Sequence, residues 1–265
     1  MLIDFHTHGK LAKKLPFSTE YTDWLLGEAH SAGLDAICLT EHFNTLQFDE
    51  LYGYLLDTCK REEDTLVTKE GLRIFTGMET DIAEGGHILS IGTPETILEL
   101  NSRLKPHKEK ENFLPFEKLM DLFEEYPVLV GAAHPYREGG HVPELPERQL
   151  KRLHFLDLNG KDVAQNREYF ENRTKALSDK LGIPMISGND THQAVQYGCV
   201  CTELKKTVKT VKALYKEMQK EDYKIVVSES VSFRVKTAGL LKKALKEIHA
   251  LGGDYVSVLT SQTNG

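Results

Sequence analysis

The chain has 265 residues, 40% of them hydrophobic, a formal charge of -7 and a pI near 5.9. That length buries a full core as one α/β barrel or as two smaller domains, and one domain is favoured. An acidic balance offers no overall basic field to a polyanion, so nucleic acid is not the expected partner, although a local basic mouth would still bind phosphate.

Leu2-Ile3-Asp4-Phe5 follow the first residue with no basic n-region or long apolar h-region, and no apolar run reaches the ~20 residues of a membrane span. A cytoplasmic protein without membrane contact is expected. Apolar or β-branched runs then alternate with helical patterns, as in repeated βα units. Strands are predicted at Leu2 to His6, Ala36 to Thr40, Arg73 to Met78, His87 to Ile91, Val128 to Ala133, Phe155 to Leu158 and Pro184 to Ser187. Between the first two, Ser18 is the N-cap of a helix through Trp24, Leu25 and Ala29 that closes at Gly33. Further helices are predicted over Phe48 to Asp64, Pro115 to Glu125, Gln165 to Leu181 and Val208 to Lys220. Asn101 to Asn112, rich in Lys and Glu and without an apolar period, reads as a solvated loop over the barrel mouth. The stripe Val208, Val211, Leu214, Tyr215 and Met218 reads as core packing. Leu241, Ala244, Leu245 and Ile248 repeat the pattern, and Gln262 to Gly265 are expected to fray. Cys38, Cys59, Cys199 and Cys201 form no C-x-x-C pair, which points to reduced, mostly buried thiols rather than a disulfide framework or a zinc knuckle.

His6-x-His8 ends the first run, and Glu41-His42, Gly77-Met78-Glu79, His87, Ala133-His134-Pro135 and Asp190-x-His192 follow at later strand ends, where an α/β barrel assembles its site. Residues i and i+2 of a strand point the same way about 7 Å apart at Cα. His6 and His8 can therefore converge on one cation while Thr7 faces away. A lone His-x-His equally suits two polar side chains at a strand end. Repetition of the same donors weighs against that, because buried imidazoles and carboxylates need charge partners and metal ions supply them together. Imidazole with carboxylate and no thiolate suits a catalytic site for zinc, manganese or iron better than one for calcium or magnesium.

In order along residues 1 to about 200, His6-Thr7-His8, Ala32-Gly33-Leu34-Asp35-Ala36, Leu39-Thr40-Glu41-His42, Gly77-Met78-Glu79, Gly86-His87, Ala133-His134-Pro135 and Gly188-Asn189-Asp190-Thr191-His192 resemble the PHP (polymerase and histidinol phosphatase) superfamily. The resemblance implies a distorted seven-stranded (βα)7 TIM-like barrel over residues 1–265, with closing helices beyond about residue 205. It also implies two or three divalent transition-metal ions (Zn, Mn or Fe) and phosphoester hydrolysis. Position by position, it implies His6, His8, Glu79 and Asp190 around a first metal. Glu79 would bridge to a second metal held also by His87 and His134, and His42 with His192 would hold a third. Where relatives place a His or Asp shortly after the His-x-His pair, counting reaches Lys13-Lys14, which do not ligate while charged. Either the third metal is weak or absent, or Glu20 takes that position after a loop shift; Glu20 otherwise reads as a carboxylate in the first helical turn, favoured by the helix dipole. Lys14 could instead balance a substrate phosphate.

Water shared by two cations about 3.5 to 4 Å apart loses its proton near neutral pH, and the resulting hydroxide would attack phosphorus in line. Catalytic roles are therefore expected for Glu79, Asp190 and His192, the last as a proton donor if its metal is missing. Arg137, three residues past His134, is either a bidentate phosphate clamp or a surface-loop arginine. Asn159 either hydrogen-bonds substrate or a ligand carboxylate, or serves a turn. His87 has a second reading as a strand histidine bonded to a neighbour. His30, His107, His141, His154 and His249 stand outside the cluster, His141 being the one whose loop should overhang it. The expected substrate is a small phosphorylated metabolite. The rivals are a nuclease-like phosphodiesterase, carbon-nitrogen bond hydrolysis on a related barrel, and a non-catalytic metal-binding barrel. The sequence does not fix an oligomeric state.

Overall fold

A computed structural model describes residues 1–260; the fraying expected of Gln262 to Gly265 lies outside the described residues. In chain order the elements begin with β1 (Leu2–Thr7), α1 (Thr19–Ser31), β2 (Ala36–Leu39), α2 (Phe48–Thr58), β3 (Lys60–Glu62), β4 (Thr65–Val67), β5 (Arg73–Asp81), β6 (His87–Gly92), α3 (Pro94–Arg103) and α4 (Phe116–Phe123). They continue with β7 (Leu129–Ala133), α5 (Glu147–Leu150), β8 (Phe155–Asn159), α6 (Gly160–Leu181), β9 (Met185–Gly188), β10 (Val200–Leu204), α7 (Val211–Gln219), β11 (Tyr223–Val227), α8 (Val231–Ala250) and α9 (Tyr255–Thr260).

The sheet runs β11-β10-β1-β2-β5-β6-β7-β8-β9, with the β3–β4 hairpin attached to β5. Nine strands on this path correct the seven-stranded expectation. The two additions are β10 and β11, and β11 also corrects the reading of everything past residue 205 as helix. Two further boundaries differ. Helix α2 stops at Thr58 because Cys59 is extended, and the chain turns back at Glu63 (φ 54°) to form β3–β4. Asn101 lies in α3 rather than in a loop, and two short 3-10 turns follow it. Thr93 caps that helix and Pro94 starts it, while Ile97 and Leu100 are buried beneath it, so an amphipathic stretch is present one turn before the polar run.

Strand β6 pairs antiparallel with both β5 and β7, whereas β1–β2, β2–β5, β7–β8 and β8–β9 are parallel. Its reversed direction brings His87, the first residue of β6, to the rim where the parallel strands end. Asp81 and His87 face each other in register there, as do His87 and Ala133.

Closure comes between β9 and β1. The amide of His8 donates to the Thr191 carbonyl at 2.9 Å, and Thr7 bridges Thr191. Buried Asp4 accepts from the Asn189 amide and side chain at 3.0 and 2.7 Å, tying the two strands by a side chain where ladder bonds are few. Phe5 of β1 and Phe155 of β8 meet across the interior with ring centroids 6.3 Å apart. That inner cluster, with Cys38, Phe75 and Leu89, also packs Val211, Leu214 and Met218 of α7, so the predicted C-terminal stripe plugs the end of the barrel opposite the site. The larger cluster lies between the outer sheet face and helices α1 to α4. Among the described residues all four cysteines are free, with Cys38, Cys199 and Cys201 buried. No described helix is long and apolar enough to cross a membrane.

Candidate metal centre

Each strand end contributes to one rim. The β1–β2 register shifts between Asp4 and Thr7, the kind of local irregularity that re-aims side chains, and the rings of His6 and His8 come to 5.3 Å centroid to centroid. His42 follows β2 and bridges Glu79 of β5 through the backbone. His134 follows β7 with φ 31°, and Asp190 follows β9 with φ 52°. A left-handed backbone at two non-glycine residues is costly, and such strain gathers where a side chain must be aimed.

All eight residues picked as ligands from the sequence come together. Glu79 is the hub: its Oε1 lies 3.4, 3.1 and 3.2 Å from ring nitrogens of His6, His87 and His134, and its Oε2 lies 3.5 and 2.9 Å from those of His8 and His42. Asp190 Oδ1 is 3.1 Å from His8 Nε2 and 3.5 Å from His192 Nε2. Three sets of donor atoms fall within 4.8 Å of one another: His6, Glu79 and His134; His6, His8 and Asp190; and His8, His42 and His192.

These donors fit divalent metal ions for a reason visible in the geometry. His6 Nε2, both ring nitrogens of His8, His42 Nδ1 and Glu79 Oε2 are buried and have no hydrogen-bond partner, although acceptors crowd around them. Orphaned buried polar atoms cost free energy, and here their lone pairs face common points. The His8 and His192 rings stack at 4.2 Å and 4°, too close for both to be charged without a large penalty. Burial favours the neutral form of both His134 and His192, and their pKa values lie well below the ordinary histidine value. His6 goes the other way: burial opposes its charge, but Glu79 and Asp157 outweigh it and push its pKa up to about 10. Burial likewise works against the Glu79 carboxylate, yet His87, His6 and His42 hold it well below the usual range. Cations seated among these atoms take over the balancing of charge that protons otherwise perform.

Outer groups fix the rings, and the sequence reading passed over most of them. Asp157 Oδ2 accepts from His6 Nδ1 at 3.0 Å, leaving Nε2 as the inward lone pair. The Lys10 carbonyl accepts from His192 Nδ1 at 2.9 Å to the same effect. Glu41 Oε1 stands 3.6 Å from His8 Nδ1 and accepts from the His42 amide, while Glu41 Oε2 accepts from the Gly9 amide. Asp81 bonds His87 Nε2 at 3.1 Å, the neighbour bond of its second reading, while its Nδ1 faces Glu79. An acidic residue in the middle of an apolar strand run, as Asp157 is, was the available signal. Carboxylate support of this kind raises the basicity of a metal-binding imidazole. Asp157→Asn is therefore expected to weaken metal affinity by about 10- to 100-fold, read by competition against a chromophoric chelator. Unchanged affinity with a lowered Tm would make Asp157 merely structural.

Beside the imidazoles lies a pair of cations. Arg137 is not a surface arginine. It donates from Nε to Asp162 at 3.0 Å, from Nη1 to Asp190 Oδ2 at 2.8 Å and from Nη2 to Asn159 Oδ1 at 2.7 Å. Three of its five N–H donors are thus engaged, and one remains on each terminal nitrogen. Lys161, missed in the sequence, reaches the same Asp190 oxygen at 2.6 Å. Asn159 joins the set by donating to Asp157 at 3.1 Å and caps α6 by accepting from the Lys161 amide. Two open alternatives find no support in the placement of these side chains. Lys14 is exposed, and it is Lys13 that approaches the site, with Nζ 3.9 Å from Asp81. Glu20 lies exposed in the first turn of α1 and accepts from Ser18 Oγ at 2.9 Å, so it does not complete the set of His8, His42 and His192. The other histidines stay apart: His30 is exposed, half-buried His107 bonds the Asn112 carbonyl, His154 accepts from the Val130 amide, and His141 pairs with Glu144.

No protein-family model and no curated protein matches the sequence. Solved structures define the fold class. PsfC from Pseudomonas syringae PB-5123 superposes with a TM-score of 0.74 at 22% identity, over 92% of this chain and 98% of that one. The lesion-specific endonuclease PfuEndoQ from Pyrococcus furiosus superposes with a TM-score of 0.60 at 19% identity over 85% of this chain. Endonuclease Q complexed with a 27-mer duplex substrate carrying an abasic lesion gives 0.60 at 17% identity. This chain spans 58% of the length of each endonuclease Q chain. The architecture is thus one shared with PsfC and with endonuclease Q.

Proposed function

We propose that this chain is a metal-dependent phosphoesterase of PHP type that hydrolyses a small phosphorylated metabolite. The observation that carries the reading is the cage of buried, partnerless imidazole and carboxylate atoms set directly against Arg137 and Lys161. His6, His8, Glu79 and Asp190 would hold one ion, and Glu79, His87 and His134 another. His42 and His192, with His8 beside them, offer a place for a third. Bound zinc, manganese or iron supplies Lewis acidity and acidifies water near neutral pH.

The chain's own groups do the rest. Asp190 is locked by Arg137 and Lys161 on one oxygen, so its other oxygen is presented to the imidazoles in a single orientation. The two N–H groups left free on Arg137 suit the non-bridging oxygens of a phosphoryl group, whose negative charge grows toward the transition state. Glu79 neutralises the ring cluster from its centre. A phosphodiesterase or nuclease reading draws support from the resemblance to endonuclease Q, whereas the charge of -7 supplies no field for a nucleic-acid backbone.

The deciding measurement is metal content of the purified protein, followed by a screen of phosphomonoesters and phosphodiesters with manganese, zinc and iron. Turnover of a monoester that a chelator abolishes is the expected result. Turnover confined to diesters would replace the phosphatase by the nuclease reading, and a fully loaded protein that cleaves neither would overturn both.

A further inference from the structure

Helices α6 and α8 enclose a cleft of about 470 Å³ that opens beside the metal centre. His192 and Lys161 line one side of it, and Lys236 and Lys242 of α8 line the other. Helix α6 breaks at Asn166, where φ is -159° and ψ is 90°, and Ser232 of α8 donates to the Ala164 carbonyl just before that break. The two helices are thus tied together at the cleft wall. Between the lysines the wall is apolar, with Ala164, Val235 and Ala238.

The charge arrangement is lopsided. Lys161 already bonds Asp190, but Lys242 is half-buried and no carboxylate among the described residues lies within ion-pair distance of it. Lys236, exposed at the cleft mouth, is also without an ion pair among the described residues. Burial and the nearby Lys161 pull the Lys242 pKa down to about 8 against the opposing pull of Asp190 and Glu41. A protein that places unpaired cations around a half-enclosed space offers them to an anion. Gly239, which also lines the cleft, would carry a Cβ with nothing within 4 Å, so the space is open down to the α8 backbone.

We propose that this cleft is a second anion subsite: the substrate is a small phosphoester with a further anionic group, a carboxylate or second phosphate, held by Lys242 and Lys236 while its phosphoryl end meets the metal centre. The subsite rests on the phosphoester reading. The apolar wall between the lysines and His192 suits a short carbon chain joining the two charged ends. The half-enclosed volume and the net charge of -7 favour such a molecule over a polynucleotide.

The probes are glycerol 3-phosphate and 3-phosphoglycerate, which differ in a neutral hydroxymethyl against a carboxylate at the far end. With the full chain as purified, kcat/KM should favour 3-phosphoglycerate through a lower KM, and Lys242→Ala should shrink that preference by about 10- to 100-fold, the scale of one charge-assisted contact. Gly239→Leu, which fills the cleft and raises helix propensity, should remove the preference with both lysines in place. Calorimetric binding of the same two compounds needs no turnover. A preference in binding without hydrolysis would therefore sink the phosphoesterase reading and keep the subsite. Equal binding of both compounds by wild type, or a preference that survives Lys236→Ala with Lys242→Ala, overturns the subsite. A lysine-dependent loss seen only with an oligonucleotide overturns it in favour of a backbone groove.

Discussion

Replacing Glu79 with glutamine is expected to cut kcat/KM by at least about 1,000-fold, on the scale of losing a group that organises transition-state charge, and to lower the bound metal per chain. The reason is numerical. Five imidazoles approach this one carboxylate within 3.5 Å, and both of its oxygens are used. Glutamine keeps the volume, so the buried surroundings of β5 stay packed, but it replaces one acceptor oxygen by a donor and deletes the charge that offsets the bound cations. The amide would then point N–H groups at ring nitrogens or at a metal. Near-ultraviolet circular dichroism should match wild type, while the rise in Tm expected of the wild type on adding zinc or manganese, which would follow from binding the folded state alone, should vanish. A Glu79→Gln protein with full metal content and full turnover would remove the hub from the scheme. Asp190→Asn tests a narrower contribution, since Asp190 meets only His8 and His192 on its inner oxygen.

How far the chain was readable depends on how local the determining interaction is. Strand runs such as Phe155 to Leu158 and Val128 to Ala133 are buried on both faces and announce themselves as continuous apolar stretches. Strand β11 shows the opposite: Tyr-Lys-Ile-Val-Val alternates between half-buried and exposed at the sheet's end, and its pairing to β10 is settled by a partner distant in sequence. The β3–β4 hairpin is built from Lys60, Arg61 and Glu62, residues with weak strand preference, and is held by cross-strand contacts such as Arg73 with Glu62 and Thr65. The candidate ligands were legible because imidazoles and acids at successive strand ends have few other uses. Their supports were not. Asp157, Lys161 and the Lys10 carbonyl act only once β1, β8 and the turn after β9 are side by side, and spacing along the chain carries no trace of that. The distance of Arg137 from His134 leaves a phosphate clamp and a surface-loop arginine both open, because its partners Asp162, Asn159 and Asp190 come from elements far along the sequence.

Gly188→Ala should be severely damaging, with a loss of stability above about 3 kcal/mol, as for forced overpacking against backbone, and a fall in Tm on the order of 10 °C. A Cβ at Gly188 would stand 2.4 Å from the His6 Cβ and 2.5 Å from the His6 amide nitrogen. Neither neighbour is the loose end of a side chain. On its other side Gly188 pairs with Asn159 of β8, so β9 cannot retreat without breaking that register. The seam therefore closes only where β9 has no side chain, and the residue that closes it against Gly188 is itself a candidate ligand. Stability and metal affinity should for that reason fall together in Gly188→Ala, since any shift that relieves the clash moves His6 relative to Glu79 and Asp157. Gly53→Ala is the control: it lies in α2 with nothing within 4 Å of the added atom, and it should gain about 0.5 to 1 kcal/mol from helix propensity. Wild-type Tm and metal affinity in Gly188→Ala would mean that β1 and β9 are not packed as closely as drawn, and the convergence of His6 and His8 with the later ligands would lose its physical cause.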